Sequence, residues 1–136
     1  MKKFAVLLLT VPVLVGLGAL LMLRDDKPKG IPAASETDRE IWLFTQGFKG
    51  ELTDTQELIV PSPEDAVFAE YAAMQAAQGY PLAQYAGQSA CRYTYRLTTG
   101  GLYAELLCAD GILIGAMCFD PVTHRMYGAD GKPYTS

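Results

Sequence analysis

The sequence predicts an α+β domain, with two helices packed on an antiparallel sheet that ends in a C-terminal three-strand meander, preceded by one transmembrane helix. Three observations predict it. The chain opens on an uncharged apolar run from Phe4 to Leu23; two capped stretches with helical spacing follow; and from Cys91 the apolar period falls to two, with turn residues between successive runs.

The apolar run contains one clearly polar residue, Thr10. About 20 residues of helix cover about 30 Å, the thickness of a bilayer core. Pro12, Gly16 and Gly18 would weaken a soluble helix, yet they are common in membrane helices. Lys2 and Lys3 before the run, and Arg24, Lys27 and Lys29 after it, stand where lipid headgroups would lie. A cleaved signal peptide is the competing reading. Cutting near Gly16 or Gly18 would leave Ala19 to Leu23 as an apolar tail, and no Cys marks a lipoprotein anchor, so residues 1–24 read as an uncleaved signal anchor. The count of basic residues does not separate the two orientations. A short basic head before an apolar stretch is the usual form of a signal anchor, which puts the C-terminal domain outside the cytoplasm.

Residues 25–35 are charged and then rich in Pro and Gly, a linker to a domain of residues 36–136. With 50% hydrophobic and 10% aromatic side chains in the whole chain, the roughly 100 to 110 residues after the anchor can bury a core, and a folded domain is expected. The formal charge of -4, without any basic cluster in the domain, argues against a nucleic-acid partner.

Within the domain, Thr37 followed by Glu40 has the spacing of a capping box, so a helix is expected there. Ile41, Phe44 and Phe48 recur at i, i+3 and i+7, the spacing of one helical face, and Gly47 supplies the left-handed residue that closes a helix. Leu58 to Val60 is a short apolar run ending at Pro61, which predicts a short strand. Ser62, Pro63 and Asp65 then carry the signals of a second helix start, and Gly79 ends it. Val67, Tyr71, Met74 and Gln78 line one stripe of that helix, widened by Phe68 and Ala72.

From Cys91 the side chains divide into two faces, with Cys91, Tyr93, Tyr95 and Leu97 on one and Arg92, Thr94, Arg96 and Thr98 on the other. Gly100-Gly101 and Asp110-Gly111 turn this strand into two more, Leu102 to Ala109 and Ile112 to Phe119. Asp120, Pro121 and Thr123 form a further turn, and Arg125 to Tyr127 a short edge strand. A two-residue turn at Asp110-Gly111 places Cys108 opposite Leu113 and Cys118 opposite Tyr103, an offset of about 16 Å that no disulfide spans. Two loops compete at the other turn. A four-residue loop from Thr98 to Gly101 sets Cys91 opposite Cys108 and allows a disulfide; a two-residue loop at Gly100-Gly101 sets Arg96 opposite Glu105 and leaves the cysteines diagonal.

The residues Gln78-Gly79-Tyr80 with Leu82, then Tyr85 and Gly87, then Arg92-Tyr93-Thr94-Tyr95, then Asp110-Gly111 with Ile114-Gly115, resemble a family of bacterial membrane-anchored proteins classed as a domain of unknown function. The resemblance covers about Thr37 to Phe119, and the Arg-Tyr-Thr-Tyr strand is its most specific part. That family also has an N-terminal hydrophobic segment, which implies an exported domain. The stretch after Asp120 departs from the family pattern. No activity is assigned to the family, so the resemblance implies no catalytic residue.

Candidate chemistry is sparse. Cys91, Cys108 and Cys118 are too few and too widely spaced for tetrahedral zinc, and no phosphate loop, nucleophile elbow or close His pair appears, so no metal or cofactor is expected. His124 lies near Cys118 and Asp120 in the chain, which frames one alternative, a small envelope enzyme using that thiol and imidazole. Arg92, Thr94 and Arg96, with Tyr103 and Glu105 on the neighbouring strand, form a mixed polar sheet face that is either an ordinary solvated surface or a dock for an acidic peptide or a glycan. The leading expectation is a non-catalytic binding or assembly module of the cell envelope, held in the bilayer through Phe4 to Leu23 and meeting an envelope protein or peptide. A further alternative is a helper subunit assembled through its membrane helix, with Gly16 and Gly18 as close-approach positions.

Overall fold

The computed structural model describes residues 30–134, so the expected anchor of residues 1–24 and most of the linker lie outside the described residues. Among those described, no helix is long and apolar enough to cross a membrane. The first helix, α1 (Glu36–Thr45), starts two residues before the expected box: Ser35 is the N-cap, and its hydroxyl accepts from the backbone N–H of Asp38 at 3.0 Å. It ends as expected at Gly47, whose φ of 94° lets the N–H of Phe48 reach the carbonyl of Leu43 and its own N–H reach that of Phe44.

The face of α1 that meets the sheet is not the one that Ile41 and Phe44 mark, although Phe48, just beyond the helix, does pack against the core. Ile41 is 58% and Phe44 68% exposed, while Arg39, Trp42 and Leu43 are buried. An adjacent stripe at the same period wins, because Trp42 and Leu43 supply more apolar surface and Arg39 finds partners for its guanidinium inside the fold.

Strand β1 (Gly50–Ile59) is much longer than the expected Leu58 to Val60, and it carries no apolar alternation because nearly all of it is exposed. Its pairing with the next strand holds it in place. The segment after it also differs from expectation. Ser62 and Asp65 cap turns rather than a helix, accepting from the N–H groups of Glu64 and Val67 at 3.2 and 3.0 Å, and α2 (Ala69–Ala77) begins only after them. Val67, 95% exposed, falls outside the helix and its stripe. Gly79, at φ 87°, closes α2 as expected, and a 3-10 turn spans Leu82–Tyr85.

Four strands follow: β2 (Ser89–Leu97), β3 (Tyr103–Ala109), β4 (Ile112–Phe119) and β5 (Met126–Tyr127). The sheet runs β1-β2-β3-β4-β5, antiparallel throughout, so the meander extends to all five strands. Leu97 N–H bonds to Leu102 O across the four-residue loop, and Cys91 stands directly opposite Cys108. Between β3 and β4 the register starts as the Asp110-Gly111 turn dictates, with Cys108 opposite Leu113, and then shifts between Leu107 and Cys108. That irregularity puts Cys118 opposite Ala104 and Phe119 opposite Tyr103, one position from the expected pairing.

The sheet is covered on both faces. Tyr95, Leu97, Ala104, Leu106 and Cys108 pack beneath Trp42 and Leu43 of α1. The alternate residues Ala90, Leu107, Ala109, Ile112 and Ile114 pack with Val60, Leu82, Phe68 and Tyr71 on the opposite side. Helix α2 also closes the outer edge of β4. Gln75, 0% exposed, accepts from the N–H of Ala116 at 2.8 Å, and Gln78 donates to the carbonyl of Ala116 at 3.1 Å, so two amide side chains satisfy what a neighbouring strand would.

Candidate functional site: a cleft over the Arg92 and Glu105 pair

The second face of the sheet is built from opposite chemistry on neighbouring strands. Arg92 on β2 and Glu105 on β3 lie diagonally across it, since Arg92 is opposite Leu107 and Glu105 opposite Thr94. Arg92 Nε stands 3.5 Å from Glu105 Oε2, and Arg92 also donates to Gln56 of β1. Above this pair the turn before α2 brings in Phe68 and the helix brings in Tyr71, with ring centroids 5.3 Å apart. The result is a cleft of about 360 Å³, walled by Phe68, Tyr71, Leu58 and Leu107, open past Ile59 and Pro61, and floored by Arg92, Glu105 and Gln56.

Burial sets the electrostatics of that floor. It pushes the Glu105 carboxyl above its ordinary value, with Arg92 pulling back in the other direction. Burial likewise pushes the Tyr71 phenol upward, assisted by Glu105. Arg92 Nε is buried with no hydrogen-bond partner among the described residues. A guanidinium about one-third exposed, whose buried Nε rests 3.5 Å from Glu105 without a hydrogen bond, is, beside two aromatic rings, a recognition feature for a polar atom carried on an apolar group.

Of the residues the sequence singles out, Arg92 and Glu105 line this cleft. Arg96 and Tyr103 face each other further along the same two strands. There Arg96 pairs with Glu51 and Tyr103 packs against Phe119 at 5.6 Å, so neither lines the cleft. Arg96 does not oppose Glu105, because the four-residue loop sets the register. Cys118 is 1% exposed; its thiol is pushed up to about 11, mainly by burial, and donates weakly to the carbonyl of Ala129. His124 lies on an exposed turn at φ 64°. A protonated core thiol and a surface imidazole offer no activated nucleophile. Among the described residues no group of three or more His, Cys, Asp or Glu side chains could hold a metal.

Phe68 and Tyr71 are apparent in the sequence as part of an apolar helical stripe, yet their second role as a cleft wall has no sequence signal. Arg39 is missed altogether. It is buried, donates from Nε to the Tyr95 hydroxyl at 3.1 Å, from Nη1 to Ala33 O at 2.9 Å and from Nη2 to Glu36 at 3.1 Å, and lies 3.7 Å from the centre of the Tyr93 ring. Its position three and four residues before Trp42 and Leu43 is the one sequence cue that places it on their face.

No family model matches the chain, and neither a curated protein nor a solved structure is significantly similar to it.

Proposed function

We propose that this chain is a single-pass membrane-anchored module whose domain stands outside the cytoplasm and binds an envelope protein or peptide in the cleft over Arg92 and Glu105. The observation that carries the binding reading is the convergence, in that one cleft, of the Arg92 donor, the partly buried Glu105 carboxyl and the Phe68 and Tyr71 rings. Apolar walls supply affinity, and a few fixed polar groups supply orientation. The anchor reading rests on the uncharged run from Phe4 to Leu23 and its basic flanks.

Two measurements test it. A photo-crosslinking side chain at Ile59, on the rim of the cleft, should give a discrete adduct in cells that Arg92→Glu abolishes, with the same side chain at exposed Val122 as the control. Equal adducts at both positions, or an adduct indifferent to Arg92, would sink the cleft reading. Labelling of cysteines in intact cells with a membrane-impermeant reagent, after mild unfolding, should reach the domain from outside. Labelling only after the membrane is broken would place it in the cytoplasm.

A further inference from the structure

We propose that Cys91 and Cys108 are a redox couple that closes into a disulfide between β2 and β3, tying together the two strands that form the floor of the cleft. The two thiols are free in the structure, and their residues are direct partners in the antiparallel ladder. Residues paired in this way have Cα atoms about 4.5 to 5.5 Å apart and side chains on the same face. A disulfide takes Cα separations of roughly 4.4 to 6.8 Å, so the bond needs side-chain rotation and no strand movement. The third cysteine cannot compete: Cys118 pairs with Ala104, four residues along β3 from Cys108, which is about 13 Å away.

The pair is also unequal. Cys91 is half-buried and Cys108 buried. An oxidant therefore meets Cys91 first. The oxidant inferred here is a disulfide, either a thiol-disulfide exchange protein or oxidised glutathione. The Cys91 thiolate attacks one sulfur of that disulfide; a mixed disulfide forms on Cys91 and the first thiolate leaves. Cys108 then gives up its proton to solvent, its sulfur attacks the Cys91 sulfur, and the second thiolate leaves. Two thiols of the protein are oxidised and one disulfide of the oxidant is reduced to two thiols. Burial pushes the Cys108 thiol up to about 12, which slows its attack relative to that of an exposed thiol.

The location gives the bond a function. Arg92 follows Cys91, Leu107 precedes Cys108, and these two are the next opposed pair in the same ladder. Because side chains alternate across a strand, the disulfide sits behind the sheet at the point where Arg92 and Leu107 line the cleft on the other side. Closure fixes the spacing of the strands that carry Arg92 and Glu105. The chemistry depends only on the register, and the identity of the natural oxidant depends on the extracytoplasmic reading.

The test uses the full-length protein in its own membranes. Thiols are trapped by acid and alkylated under denaturing conditions with a mass-shifting maleimide, before and after reduction, in the wild type and in Cys118→Ala. In Cys118→Ala two thiols should label only after reduction. If the cell sample is already reduced, oxidised glutathione added to solubilised protein should close the pair, which would support the couple and overturn the extracytoplasmic placement. Two labels on Cys118→Ala before reduction, even after glutathione treatment, would overturn the couple. Cys108→Ser should trap glutathione on Cys91, whereas Cys91→Ser should take none on Cys108; the reverse pattern would overturn the order of attack. Non-reducing peptide mapping of the unmodified wild type covers the case in which a variant does not fold, by finding the Cys91 and Cys108 peptides linked or separate.

Discussion

Arg39 donates from Nε to the hydroxyl of Tyr95, 56 residues further along the chain, and Tyr95 in turn donates to Glu36 at 3.1 Å. One helix and one strand are thereby joined through a buried guanidinium whose other donors reach Ala33 and Glu36. The same arrangement places the cation against the Tyr93 ring, which uses the ring face as a further partner.

Removing the guanidinium should be costly, because it leaves the Ala33 carbonyl and the Tyr95 hydroxyl buried with fewer partners. Arg39→Ala is expected to destabilise the domain by about 3 kcal/mol, and Tyr95→Phe by about 1 kcal/mol. A denaturant double-mutant cycle should give a coupling of at least about 0.5 kcal/mol. Additive losses would mean that the two side chains act independently.

The amide clamp on Ala116 makes a sharper chemical prediction. Gln75→Leu keeps the volume roughly constant but leaves the Ala116 N–H without its acceptor, at a cost of about 1 to 3 kcal/mol. Gln75→Glu retains an acceptor oxygen at that place and is expected to suffer mainly from burying charge, so its loss should shrink as pH falls. Unfolding midpoints at two pH values distinguish the variants.

Glu105 predicts a pH dependence. Burial raises its folded value above the ordinary 4.5, so the folded protein holds the proton more tightly than the unfolded chain. The stability it contributes is complete below the ordinary value and is lost as pH rises through the folded value. Glu105→Gln should therefore lose less stability than the wild type between about pH 4 and pH 7. Parallel curves for the two proteins would show that the carboxyl titrates as it does in water.

The two sides of α1 should respond differently to truncation. Leu43→Ala, in the core, is expected to cost about 2 to 5 kcal/mol. Ile41→Ser and Phe44→Ser, on the exposed side, should each fall within about 0.5 kcal/mol of the wild type. Thermal unfolding of the three variants measures which side faces the sheet.

Much of the sheet was legible because turn residues and alternation act locally: Asp110-Gly111 and the two-residue period locate β2, β3 and β4 closely. What was not legible depends on the environment. Strand β1 has both faces largely exposed, so Gly50 to Glu57 shows no apolar period. The shift at Leu107 and Cys108 moves every later partner by one and leaves only Gly115, a glycine within a strand, as its trace. Arg92 could be named as a candidate from alternation, whereas its cleft required knowing that the turn before α2 carries Phe68 over that face. Arg39 went unseen because charge normally marks the solvent side of a helix.

Strand order in this sheet is also chain order. A polypeptide that emerges amino end first therefore presents each strand when its partner has already appeared; β2 to β5 are joined by short loops, whereas β1 meets β2 only after the segment carrying α2 (60–88) has been closed into a loop. Other contacts also wait for distant residues, among them Arg39 to Tyr95, the Ala33 N–H to the Gly111 carbonyl, and Gln75 and Gln78 to Ala116. From β2 to β5 the strand order thus permits pairing to advance in step with the chain, with early segments such as Ala33 and Arg39 locked into place by late ones.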